Sequence, residues 1–255
     1  MDTNQQASVA ASEAIASTVS LSVWQRTVAI FAKPAAAWSG LADRAQWWFP
    51  VAVTTVLGAA LAAALHDRAL MPMITERWEA MVDSGQLSAE QLERMKAGMS
   101  GPTGVIMSAG QQVLVWPAIL ALMALLVWFG VGFILGTRFR FRHAFEVVAW
   151  SALVMMPSQI LTAAIAWPKQ TLSGIHLGFG ILLPEPDTPT KLHFGLASFL
   201  DALGPLSVWS LVVAILGAAA LSGAPRRSVA WILGGFYLAL TILMAVMAAM
   251  FAPGT

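Results

Sequence analysis

Five stretches of this chain run almost without charge: 49–65, 113–135, 145–167, 203–221 and 229–251, interrupted only by Glu146 close to one end. A helix rises about 1.5 Å per residue, so roughly 20 apolar residues cross a hydrocarbon core about 30 Å thick. Core helices of soluble proteins keep a polar face. A chain of 255 residues has no interior that could hide five helices lacking one. The pattern predicts an all-α, polytopic transmembrane bundle of five spans, preceded by an interfacial amphipathic helix.

The polar intervals predict the rest of the organisation. Residues 1–20 are small and polar, with Asp2 and Glu13 their only charges, and read as a flexible tail. They lack the form of a cleaved signal, which sets a basic region ahead of an apolar core; the first cation is Arg26. Within 21–48, Val23, Trp24, Thr27, Ile30 and Phe31 recur at helical spacing, with Gln25, Arg26 and Lys33 elsewhere on the wheel. Pro34 suits the first turn of a second short helix carrying Trp38 and Leu41, which leads into Trp47-Trp48-Phe49-Pro50. An amphipathic stretch with Trp and sparse cations lies in the headgroup region, the placement expected here, or packs against the protein's own spans. Trp24, Arg26, Phe31, Trp38, Trp47 and Trp48 are the candidate interfacial residues.

The five-span domain occupies 49–252 and holds two long connections. In 67–110, segments 72–82 and 88–97 read as short helices separated by Asp83-Ser84-Gly85. Ser88 and Gln91 have capping-box spacing, and Gly98, Gly101, Pro102 and Gly104 then break the pattern. A small extracytoplasmic helical hairpin follows, read as a solvated spacer ahead of a ligand-gathering cap. The connection 168–198 carries Gly174, Gly178, Gly180, Pro184, Pro186 and Pro189 among apolar residues such as Ile175, Phe179 and Leu182. It is too interrupted for a span and reads as an extracytoplasmic loop, with a dip into the interface left open.

Charge gives the spans a direction. Of the 14 Lys and Arg residues, Arg26, Lys33 and Arg44 precede span one, Arg138, Arg140 and Arg142 crowd the second connection, and Arg226 and Arg227 the fourth. The other six are spread over the long first and third connections. Short loops rich in Lys and Arg stay cytoplasmic. The chain therefore reads with its N-terminus cytoplasmic and its C-terminus outside.

Composition narrows the chemistry. Charged residues make up 11% of the chain against about 25% in soluble domains. A net charge of +1 gives no case for a nucleic-acid partner. Eleven Trp against one Tyr favours the membrane–water interface. With no cysteine, thiolate metal sites and cysteine nucleophiles are excluded. His66, His143, His176 and His193 show no zinc-site spacing, and no serine elbow or phosphate loop is present, so no catalytic, metal or cofactor-binding residue and no cofactor is expected.

Ionisable and amide groups inside spans remain candidates because they are costly in lipid. Glu146 lies in the first turn of span three, where pairing with Arg142 one turn earlier gives it a structural role. Asp201 precedes Gly204-Pro205 and is expected to cap the start of span four. Gln159 follows the mid-span Pro157, where it or Ser158 is expected to satisfy the loosened backbone. Gly132 and Gly136 form a small-xxx-small pair, consistent with packing inside the chain or with a dimer.

Trp24-Gln25-Arg26, Ile30-Phe31-Ala32-Lys33-Pro34, Trp38 and Trp47-Trp48-Phe49-Pro50 together resemble the opening of bacterial members of the Yip family, the Ypt/Rab-interacting membrane proteins. Phe141-Arg142-His143-Ala144-Phe145 ahead of a span with a central Pro is similar as well. So is Leu206-Ser207-Val208-Trp209-Ser210-Leu211, followed by Gly217 and the turn from Gly223 to Arg227. The resemblance covers about 22–250. It implies five spans with a cytoplasmic N-terminus, in a family whose eukaryotic members are associated with Rab proteins, vesicle traffic and membrane shaping. No extended region with a GTPase-binding signature precedes the spans, so a Rab-like GTPase is not an expected partner. The expected function is non-enzymatic: organising the lipid bilayer, other membrane proteins or further copies of this chain. The alternative is a small transporter or channel component using Glu146, Gln159 and Asp201 as a polar path.

Overall fold

The computed structural model describes residues 21–184 and 190–252, and the tail expected over 1–20 lies outside them. Among the described residues all regular structure is helical. Helix α1 (Val23–Ala32) and a 3₁₀ turn (Ala36–Trp38) precede α2 (Trp48–Leu65). A π-helical turn, His66–Leu70, joins α2 to α3 (Met71–Asp83), and α4 (Ala89–Met99) completes a hairpin. Helix α5 (Gly101–Trp128) ends in a second π turn, Phe129–Ile134. Then come α6 (Phe141–Leu153), α7 (Met156–Lys169), α8 (Lys191–Ala202), α9 (Pro205–Ser222) and α10 (Arg226–Met250).

Five helical runs are long and apolar enough to cross a membrane: Trp48–Asp83, Gly101–Ile134, Phe141–Lys169, Pro205–Ser222 and Arg226–Met250. The first does not stop where its apolar run stops. The π turn carries it without a break into the polar α3, and Pro72, one residue past Met71, has no N–H to give to the turn before it, at the place where the helix changes its hydrogen-bond register. The second starts well before residue 113. Gly101 takes φ +67°, a left-handed conformation open to glycine, and so starts the helix that it was expected to break. Span three bends at Val154-Met155, ahead of Pro157, and the Ser158 hydroxyl donates to the Met155 carbonyl at 2.7 Å. The Met155 carbonyl also accepts the Gln159 backbone N–H, so among the described residues neither the Ser158 hydroxyl nor the Gln159 amide takes up the Leu153 carbonyl that Pro157 leaves free, and the expected repair is not made.

The chain divides into two compact units. One contains the described part of Met1–Val51 with Leu120–Val154 and Ser210–Gly234. Its core includes Ile30, Leu41, Val131, Val147, Trp150, Val213 and Val229, all fully buried. Trp38 lies against Gly217, where an added Cβ would come within 2.4 Å of the indole. Gly136, at φ +63°, turns the chain back, and a Cβ at Gly132 would sit 3.2 Å from the Phe139 carbonyl. This glycine pair serves a turn within the chain.

The other unit contains Ala52–Ile119, Met155–Trp209 and the described part of Gly235–Thr255. Leu65, Ala69 and Ala166 form a small core with Ala163, Leu172 and Ile175 packed on it. The hairpin of α3 and α4 has the predicted capping box: Gln91 N–H donates to Ser88 Oγ, and Ser88 N–H to Gln91 Oε1. Within 168–198, expected as a loop, Phe179–Leu182 forms a 3₁₀ turn packed on α8, whose first turn Thr190 caps.

Candidate membrane-facing site

Helix α1 starts with a reciprocal cap, Ser22 Oγ accepting from Gln25 N–H while Gln25 Oε1 accepts from Ser22 N–H. Four residues apart, Arg26 and Ile30 share one face, and both are buried. The Arg26 guanidinium donates to Gln46 Oε1 at 2.9 Å, to the Ser39 carbonyl at 3.0 Å and to the carbonyls of Ala37 and Leu21. It also lies over the Trp150 ring, 5.8 Å from the centroid. Burial pushes its pKa down to about 10, with the Glu146 carboxylate opposing, so it stays a cation at neutral pH.

Gln46 links the two charges. Its side-chain amide donates to the Leu21 carbonyl at 3.1 Å, and its backbone N–H donates to Glu146 Oε1 at 2.7 Å. Glu146 is fully buried. The pairing expected with Arg142 gives way to this contact, because the Arg142 guanidinium reaches outward to the Ala42 carbonyl. The segment ahead of span one is thus fastened to span three through charge-assisted bonds. Sequence reasoning passed over Gln46. Its one signal was a polar residue set against Trp47-Trp48, and its partners lie 20 and 100 positions away.

The remaining interfacial candidates divide by face. Trp24 and Phe31 occupy the side of α1 away from Arg26 and are 70% and 41% exposed, and Val28, not among the candidates, joins them at 67%. Trp47 and Trp48 are exposed as well, while Arg26 and Trp38 are buried in the protein. The placement on the protein's own spans and the outward apolar face are therefore both present in one helix. An edge-to-face contact of Trp24 with Phe49, and Phe49 stacked on Trp150, brace the exposed indole from below.

Asp201 does not cap span four. It lies in the last turn of α8, and its carboxylate meets His176 Nδ1 at 2.6 Å. Gly178 and Gly180 let the chain cross here, since a Cβ on either would fall 2.4 Å from an Asp201 oxygen. Asp201 lines a cleft of about 350 Å³ with Ser158 and Ser207. Gln159 lines a different one, of about 460 Å³, with Thr54, Gln111 and Gln112. Glu146 lines neither. Among the described residues no three His, Asp or Glu side chains gather as a metal site.

A family model described as the Yip1 domain matches residues 28–249. The chain belongs to the Yip family. The match begins inside α1 and takes in Gln46, Glu146 and all five spans, which makes this a multi-pass integral membrane protein. No curated protein and no solved structure matches this Yip-family chain.

Proposed function

We propose that this Yip-family protein is a non-enzymatic organiser of a bacterial inner membrane, with its N-terminus in the cytoplasm. It acts on the bilayer through α1, and on neighbouring membrane proteins or further copies of itself. The observation that carries this reading is the two-sidedness of α1, with Arg26 and Ile30 clamped inward and Trp24, Val28 and Phe31 turned out. A helix held at that position presses its apolar side chains into one leaflet and takes up area there. Covering the exposed part of each of the three is worth about 1–2 kcal/mol. The exposed Lys33 and Arg44 add about 1 kcal/mol each near anionic lipid, so the apolar term dominates.

The transport reading has less to support it, since Gln159 and Asp201 line different clefts and Glu146 lines neither. The test is reconstitution into liposomes of 70% phosphatidylcholine and 30% phosphatidylglycerol, imaged by electron cryomicroscopy. The native chain is expected to narrow or tubulate the vesicles and Trp24→Ser/Val28→Ser/Phe31→Ser to leave them round, with equal incorporation and equal Tm. Round vesicles with the native chain, or unchanged shape with the triple variant, defeat the proposal.

A further inference from the structure

The cleft of about 460 Å³ is unusual in its lining. Three glutamine amides, Gln111, Gln112 and Gln159, converge on it from α5 and α7, joined by the hydroxyls of Thr54 and Thr162. Trp116 closes one side, its indole N–H donating to Thr54 Oγ1 at 3.1 Å. No charged residue lines it. Gln112 and Gln159 are half-buried and Gln111 is exposed at the cleft, and among the described residues none of the three amides makes a side-chain hydrogen bond within the protein. Polar groups that converge unpaired within spans are costly in lipid unless they serve a polar occupant.

We propose that this cleft binds the headgroup of an uncharged lipid, one that offers hydroxyl and ester oxygens, as a diacylglycerol does. Each glutamine amide both donates and accepts, which matches a hydroxyl beside an ester carbonyl. An ionic headgroup would find no counter-charge here and would lose its hydration without return. The lining residues stand on helices long and apolar enough to cross a membrane, with Gln111 and Gln112 directly ahead of the apolar stretch 113–135, the level at which a lipid headgroup would lie. Leu61, Val115 and Ile119 supply the apolar wall for the first acyl carbons. The volume lies in the range of small-ligand sites and is too small for two whole acyl chains, which stay in the bilayer. The site is independent of α1 and of the bilayer-shaping role.

Native mass spectrometry of the full chain in detergent tests this, with dioleoylglycerol, dioleoylphosphatidylcholine and dioleoylphosphatidic acid offered at equal concentration. One dioleoylglycerol is expected to be retained in preference to the other two. Gln112→Leu/Gln159→Leu, which removes two hydrogen-bonding amides, is expected to lower its occupancy constant by about tenfold or more. Gly58→Leu fills the cleft from α2, where an added Cβ would meet Gln112 Oε1 at an ordinary 3.5 Å, and is expected to abolish retention without unfolding. Equal retention of the three lipids, or unchanged retention in the folded variants, overturns the proposal. Displacement by free glycerol at millimolar concentration overturns its lipid source.

Discussion

Arg26 has at least four oxygen acceptors within reach, three of them backbone carbonyls that no other side chain on α1 could serve. A guanidinium suits that task because its donors are fixed in a plane and point several ways at once. Arg26→Met keeps the stem and strips the donors from the Ala37 and Ser39 carbonyls and from Gln46 Oε1, while the Leu21 carbonyl keeps the Gln46 amide. The cost is about 3 kcal/mol, the scale of a lost bond to a charged group. It falls on the docking of α1, so the expected result is faster hydrogen exchange over 23–32 and faster proteolysis in the 33–46 segment, with a small change in overall Tm. Arg26→Lys is expected to recover only part of this. Glu146→Gln keeps an oxygen for the Gln46 N–H and is expected to cost clearly less than Glu146→Leu, a ranking that hydrogen exchange of the 44–48 backbone reads directly. Because the network is buried, added salt should change neither result.

The elements themselves were largely legible, because long apolar runs leave one solution in lipid, where each helix satisfies its own backbone. Ser88 and Gln91 announced α4 through a local rule that needs no tertiary partner. Legibility failed where a distant atom decided the outcome. Gly104 read as a helix breaker, yet it sits inside α5 where His66, buried 38 positions earlier, meets the Met99 carbonyl at 2.9 Å: a Cβ there would lie 1.8 Å from the Met99 oxygen and 2.6 Å from His66 Nε2. Asp201 read as a cap by its neighbours in sequence, but His176 across the 178–180 crossing takes its carboxylate. Trp38 read as an anchor in the headgroups, and only the missing side chain of Gly217 shows that its ring has a berth in the protein. That berth is testable. Gly217→Ala forces the indole aside and is expected to cost about 1–3 kcal/mol, as overpacking does. Thermal melts of Gly217→Ala, Trp38→Leu and the double variant are expected to show that the second change adds little once the first is made, as touching residues do.

At the scale of the molecule, the connections between the long helices divide between the two units. The 21–48 segment, the 135–140 connection and the 223–225 turn share one unit, while the α3–α4 hairpin, the 170–204 connection and the residues after α10 share the other. Helical geometry alone does not say which connections face the cytoplasm. The positive-inside rule supplies an expectation: Arg138 and Arg140 in one short connection, and Arg226 and Arg227 at the start of α10 beside another, predict a cytoplasmic side for these two connections. The chain has no cysteine, so single cysteines can be labelled against no background. Ala42→Cys and Pro225→Cys mark exposed positions in the first unit, Ser84→Cys and Ser173→Cys in the second. In intact cells a membrane-impermeant maleimide is expected to label Ser84→Cys and Ser173→Cys, and to reach Ala42→Cys and Pro225→Cys only after permeabilisation. The opposite pattern would invert the protein and set α1 on the outer leaflet. Labelling that splits either pair would mean that one of the five helices does not cross, and the lipid-facing roles of α1 and of the amide-lined cleft would then have to be argued from a different set of spans.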